Sequence, residues 1–231
     1  MPVKFDLDLH KRTLITLLVE IFKKLNGKIA FKGGTCAYLF YNLNRFSLDL
    51  DFDILEEFTT EDINNIKEIL LKNGKIKEFY QKRFTTFFLL DYGKYYHNLK
   101  IEFNKRIWKN NKYKKVWFMG VRMKIADEAT VFTNKLVALS DRKINVSRDL
   151  FDVYYFLNLH YPIDEELIKE RTGKSKKEYL QFLIKFIQKN YTNKDILYGL
   201  GEVLSSGQKP WVKKELISVT IKELEKEIRK D

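Results

Sequence analysis

Between residues 31 and 53 the sequence gathers the residue types that phosphoryl chemistry uses: Phe31-Lys32-Gly33-Gly34-Thr35, then Arg45-Phe46-Ser47-Leu48-Asp49-Leu50-Asp51-Phe52-Asp53. A Gly-Gly-Thr turn that opens a helix presents backbone N–H groups and a hydroxyl where a phosphate can sit, and the helix dipole favours negative charge there. Asp49 and Asp51 alternate with Leu48, Leu50 and Phe52, so on a strand they project from one face. Side by side they repel unless a cation lies between them. Hard oxygen ligands of this sort suit Mg2+, which keeps waters and takes its remaining ligands from substrate phosphates. The best third carboxylate is Glu102 in Leu99-Lys100-Ile101-Glu102-Phe103, where Ile101 and Phe103 point to the other face of a strand. That assignment rests on position and alternation. With two metals about 3.5–4 Å apart, one activates an attacking hydroxyl and the other stabilises the departing pyrophosphate, which is nucleotidyl transfer.

The elements that must position these groups are legible from periodicity. Leu14, Leu17, Leu18, Ile21, Phe22 and Leu25 trace one face of an opening helix. Lys28 to Phe31 reads as a strand, Gly33-Gly34 as a turn, and Thr35 as the N-cap of a helix running to Leu43. Leu48 to Leu55 reads as a half-buried strand with all three aspartates on its wet face. A helix from Thr60 ends at Asn73-Gly74, after which Phe79–Tyr92, Leu99–Phe103 and Val116–Ile125 read as strands. From Ala126 the period is helical, over Val131–Arg142, Arg148–Leu159, Lys176–Asn190, Ile196–Ser205 and Val212–Arg229. The expected class is α+β, with a mixed-sheet module over residues 1–125 followed by an α-helical module over 126–231.

Taken together, Lys32-Gly33-Gly34-Thr35 and Arg45-x-Ser47-x-Asp49-x-Asp51-Phe52 resemble the signature of the AbiEii-type nucleotidyltransferase toxins, within the DNA polymerase β-like superfamily. Lys135-Leu136-x-Ala138-Leu139-x-x-Arg142 and Arg148-Asp149-Leu150-Phe151-Asp152 are similar to that family's downstream Lys and Arg-Asp-x-x-Asp motifs, so the resemblance covers both modules. It implies that Gly33, Gly34, Thr35 and Ser47 take the triphosphate, Asp49 and Asp51 the metals, and Lys135 a nucleotide phosphate. Asp149 takes an active-site carboxylate role such as proton acceptance, and Asp152 matches the motif less tellingly. The implied activity is Mg2+-dependent transfer of a nucleotide from an NTP to an RNA acceptor such as a tRNA 3′ end, with a cognate antitoxin protein as partner. The rival reading is a catalytically inactive protein that keeps the fold to bind NTP or RNA.

Blander readings stand beside these. Lys135 also suits a solvated helix position, and Arg148 with Asp149 an ordinary helix start. Asp53 reads as a strand-end cap or a solvent-facing group, not as a ligand. Asp49-x-Asp51-x-Asp53 is no EF-hand, because Ile54 stands where that loop needs Gly and Thr60 where it needs Glu. Cys36 reads as core, and His10, His97 and His160 lack metal-ligand spacing.

With 43 Lys and Arg against 31 Asp and Glu among 231 residues, the chain carries a formal charge of +12, which attracts polyanions. Lys105 to Lys124 contains eight cations and no acid, interleaved with Trp108, Tyr113, Trp117 and Phe118. Phosphates want the cations and unpaired bases stack on the rings, so Lys112, Lys114 and Lys115 are candidate RNA contacts, with a plain solvated hairpin the equal alternative. A single cysteine gives no disulfide framework, and no apolar run approaches the roughly 18 residues of a membrane span. Charges arrive too early at the N-terminus for a signal peptide. A cytoplasmic protein without membrane partners is expected.

Overall fold

A computed structural model describes residues 6–93, 98–142 and 144–230, so His97 and the first five residues fall outside it. Contacts divide the chain into two units. The first holds the residues through Phe40, Ser47–Ile107 and Tyr113–Ala126, and the second holds Tyr41–Phe46, Trp108–Lys112 and the chain from Asp127 onward.

The first unit is built on a sheet. Its helices are α1 (Leu7–Leu25), α2 (Gly33–Phe40) and α3 (Thr60–Asn73), and its strands β1 (Ile29–Lys32), β2 (Leu50–Ile54), β3 (Lys75–Lys82), β4 (Thr85–Asp91), β5 (Leu99–Asn104), β6 (Tyr113–Phe118) and β7 (Val121–Ala126). These seven strands run in the order β3-β4-β5-β2-β1-β7-β6, with β2–β5 and β1–β7 parallel and the other neighbours antiparallel. Register assigns the two faces. Phe31 lies opposite Phe52 and Ile125, and Phe52 opposite Phe103, giving an apolar face that is fully buried. Phe52 stacks on Phe103 at 4.8 Å between ring centres and meets Phe22 of α1 edge to face at 6.0 Å. Burying such a ring contributes roughly 1.5–3 kcal/mol. The opposite face carries Lys32, Asp51 and Glu102 side by side, one residue along from those rings.

Caps fix the helices beneath. Asp6 accepts from Leu9 N–H at 3.0 Å to start α1, and Thr59 with Asp62 forms a capping box at α3. Asp62 also binds the Lys28 amine at 2.8 Å.

Several expected elements differ. The stretch from Phe79 to Tyr92 is the greater part of a hairpin of two strands turning at Arg83-Phe84, and Val116–Ile125 is a hairpin too. Met119 (φ +48°) and Gly120 (φ +75°) there form the left-handed pair that a tight hairpin turn requires. α2 begins at Gly33, so Thr35 lies inside its first turn and is not its N-cap. β2 begins at Leu50, which leaves Asp49 just ahead of the strand.

The second unit contains α4 (Glu128–Asp141), α5 (Ser147–Asn158), α6 (Glu165–Thr172), α7 (Lys176–Asn190) and α8 (Gln208–Ile228), with Phe132, Leu136, Phe156, Leu180, Leu183 and Leu216 fully buried among them. α6 is short and its adjacent Leu167 and Ile168 give no helical period, so the sequence does not announce it. The helix expected over Ile196–Ser205 is instead a run of turns, because Gly199 adopts φ +65° and breaks the ladder. Among the described residues no helix is long and apolar enough to cross a membrane.

Candidate active site

In the first unit the strand–turn–helix passage is shaped around one missing methyl group. Gly33 sits at φ +78°, and a Cβ added there would stand 2.2 Å from Asp51 Oδ2 and 2.9 Å from Asp51 Cβ and Cγ. Only glycine combines that backbone angle with so close an approach. The Asp51 side chain therefore lies over the turn that opens α2, where the helix's first N–H groups lack intrahelical partners.

Thr35 is fully buried. Its hydroxyl donates to the Asp49 carbonyl at 2.5 Å, with Ser47 Oγ 3.0 Å away. The hydroxyl thus ties the start of α2 to the segment carrying Asp49, and leaves phosphate binding at this residue to its backbone. Asp49, Asp51 and Glu102 are all half-buried, and Asp51 is the direct register partner of Glu102 across the parallel β2–β5 pair.

Asp53 behaves differently from the two aspartates before it. It is fully buried, with the Lys32 amine 2.6 Å from Oδ1 and the Tyr113 hydroxyl donating to Oδ2 at 2.8 Å. The expectation that it caps the strand end or meets solvent is corrected: its charge is answered inside the protein. Lys32, which carries no role in the motif reading, supplies that answer.

The donor set of Asp49, Asp51 and Glu102 is of the hard oxygen kind that suits a divalent cation such as Mg2+, and the Cβ-free turn admits the Asp51 carboxylate against the backbone. Among the described residues no three His, Cys, Asp or Glu side chains are gathered into a group that could hold an ion. Asp51 and Glu102 are thus register partners and Asp49 lies two residues ahead in the chain, but the three are not drawn into a coordinating cluster.

The second unit brings the downstream motifs into one buried charge network. Arg45 grips Asp152 through both carboxylate oxygens, Nε to Oδ1 at 2.5 Å and Nη2 to Oδ2 at 2.6 Å, the two-pronged geometry that only a guanidinium offers. The Lys135 amine stands 2.8 Å from Asp152 Oδ2 and 3.6 Å from Asp149 Oδ1. Arg142 Nε lies 2.6 Å from Asp149 Oδ2 as a charge contact not aligned as a hydrogen bond. Asp152 is wholly buried and the Arg45 side chain 3% exposed. Burial pushes the Asp152 carboxyl upward, but the adjacent Arg45 and Lys135 charges outweigh it and hold the group below its ordinary range. Three cations face two carboxylates, so the network carries one positive charge in excess.

Sequence reasoning singled out Lys135 and Asp149 but gave little weight to Asp152 and no role to Arg45. Their pairing spans 107 residues of sequence, a separation no local spacing reveals. Arg45 belongs to the short segment 41–46, which is held within the second unit at several points. Phe46 N–H donates to the Val203 carbonyl at 3.0 Å, Gln208 Nε2 to Asn44 O at 2.6 Å, and the Tyr155 hydroxyl to Asn42 O. This segment leads directly into Ser47 and Asp49.

The basic stretch is sorted by the fold. Lys112 pairs with Asp164 at 2.6 Å, which raises its own pKa and, against burial, lowers that of Asp164. Lys114 is half-buried on the apolar-face side of β6, opposite Ile125, whereas Lys115 is exposed on the other side.

A family described as "Nucleotidyl transferase AbiEii toxin, Type IV TA system" matches residues 16–229. Among solved structures the chain is similar to JHP933 from Helicobacter pylori, at 20% identity and a TM-score of 0.57, covering 98% of this chain and 97% of that one. A second H. pylori protein, described as a candidate nucleotidyltransferase, aligns at 21% identity and a TM-score of 0.59 over 95% and 97% of the two chains. At such identities these likenesses concern the fold. No curated protein sequence matches.

Proposed function

The chain belongs to the AbiEii nucleotidyltransferase toxin family, and from that premise we propose that it uses Mg2+ to move a nucleotide from an NTP to an RNA acceptor, a tRNA 3′ end above all. The observation that carries the reading is Asp51 lying over the Gly33 turn with Glu102 as its register partner, because it joins an anion cradle to a pair of hard ligands.

In this proposal the backbone N–H groups of Gly33, Gly34 and Thr35, with Ser47, receive the triphosphate, and Asp49, Asp51 and Glu102 hold the cations. Cations held there would supply charge neutralisation on the phosphates and would acidify the attacking hydroxyl. The surplus positive charge around Lys135 favours a nucleotide phosphate, and Asp149 accepts the hydroxyl proton. The acceptor oxygen forms a bond to the α-phosphorus as the bond from that phosphorus to pyrophosphate breaks, and pyrophosphate carries away the bonding pair.

The family's description as a toxin–antitoxin component implies an antitoxin partner. NTPs and tRNA are cytoplasmic, and so on this reading is the protein. Incubation with each labelled NTP, Mg2+ and total RNA tests the proposal: a labelled RNA band supports it, and its absence with every NTP, while NTP still binds, supports the inactive-binder reading instead.

A further inference from the structure

The β6–β7 hairpin presents an unusual surface. Cross-strand register sets Lys115 opposite Lys124 and Trp117 opposite Arg122, so these four side chains share one side of the hairpin. Trp117 is 75% exposed and Met119 at the turn 69%. Lys115 and Arg122 are exposed and Lys124 half-exposed, and among the described residues none of the three pairs with a carboxylate. The Trp117 indole thus stands in water beside three cations and contributes nothing to the core, whose rings lie on the opposite side.

We propose that this face docks a single-stranded segment of the RNA acceptor, with an unpaired base stacked on Trp117 and the flanking phosphates met by Lys115, Arg122 and Lys124. The inference rests on the reading above that the acceptor is RNA. Charge complementarity favours a polyanion, and the flat exposed ring favours one that offers π-faces, which single strands do and duplexes hide. The face is the same side of the sheet that carries Asp51 and Glu102, as Tyr113 of β6 confirms by reaching Asp53. Trp117 lies three strands and four residues from Asp51, about 20 Å at ordinary strand spacings. It therefore meets nucleotides upstream of the reacting end. This assignment also replaces the contiguous trio Lys112, Lys114 and Lys115 with alternate residues, as a strand demands.

The test titrates the full chain with a dye-labelled ten-nucleotide single-stranded RNA and follows anisotropy. Trp117→Ala should weaken binding about 5- to 150-fold, the usual loss for one stacked base. The triple Lys115→Glu, Arg122→Glu, Lys124→Glu should lower the log–log salt slope by roughly 2, at about 0.7 per lost phosphate contact. The same RNA annealed to its complement should bind more weakly to the parent and be indifferent to Trp117→Ala. NTP affinity should be unchanged in both variants. Equal RNA affinity in parent and variants, or equal sensitivity with duplex, overturns the proposal and leaves the face to a protein partner. If the parent binds no RNA yet transfers nucleotide to another acceptor, the docking inference fails while nucleotidyl transfer stands.

Discussion

Asp152→Asn should be among the most damaging single substitutions in the second unit. Asparagine keeps the side-chain volume but removes the charge, leaving Arg45 and Lys135, 3% and 13% exposed, without the carboxylate they share. Its amide also turns a donor toward a guanidinium that has only donors. Removing one partner of a buried pair costs about 3–5 kcal/mol, and for a chain of this length each kcal/mol lowers Tm by about 2–4 °C, so a fall of roughly 6–20 °C is expected. The double variant Arg45→Met, Asp152→Leu should recover part of that loss, because the buried guanidinium leaves with its carboxylate while Lys135 keeps Asp149 at 3.6 Å. The pH dependence has a definite sign. Since the folded Asp152 carboxyl is held below the ordinary aspartate range by Arg45 and Lys135, its contribution is present above that range and lost as pH falls through the lower folded value. Asp152→Asn should therefore flatten the acid limb. Hydrogen exchange at Phe46 N–H, bonded to Val203, should quicken as Arg45 is released. Circular dichroism melts from pH 3 to 7 read the stability changes, and residue-resolved hydrogen exchange reads the Phe46 amide. A single variant within about 0.5 kcal/mol of the parent, or a double variant no better than the single, refutes a coupled buried pair.

Gly33→Ala forces a Cβ to within 2.2 Å of Asp51 Oδ2 at a positive φ, so transfer should fall at least about 100-fold, against a stability loss of about 1–3 kcal/mol; unaltered turnover would remove Asp51 from its place over the turn. Lys135→Ala should weaken NTP binding in calorimetry and lower the rate together, and Lys135→Arg should not restore either, since the bulkier fork does not fit where an amine stands 2.8 Å from Asp152. Unchanged NTP affinity would assign Lys135 to the ion network alone. Acid unfolding should set in only below the ordinary carboxylate range, because Asp62 and Asp164, buried yet held low by Lys28 and Lys112, resist protonation as Asp152 does; Lys28→Met should move the Asp62 share of that transition to higher pH in a proton-uptake titration.

Local spacing makes the first unit's candidate site readable. Gly33-Gly34-Thr35 and Asp49-x-Asp51 lie within twenty residues, and Glu102 follows from alternation in β5, which the register with β2 then sets beside Asp51. The hairpins were harder, because a continuous apolar run does not show where Met119-Gly120 reverses it. Asp53 was misjudged because alternation gives a side but not what covers it, and the Lys32 and Tyr113 partners come from β1 and β6. Arg45–Asp152 was invisible for the same reason at longer range: nothing in a pattern of period two or 3.6 links residues 107 apart.

The central claim is met most directly by one gel. Parent protein and Asp51→Asn are incubated with each α-32P-labelled NTP, Mg2+ and total RNA, and the RNA is resolved. The account predicts label on RNA with the parent, none when Mg2+ is chelated, and none with Asp51→Asn although the variant stays folded at the assay temperature. Equal labelling by Asp51→Asn would contradict it.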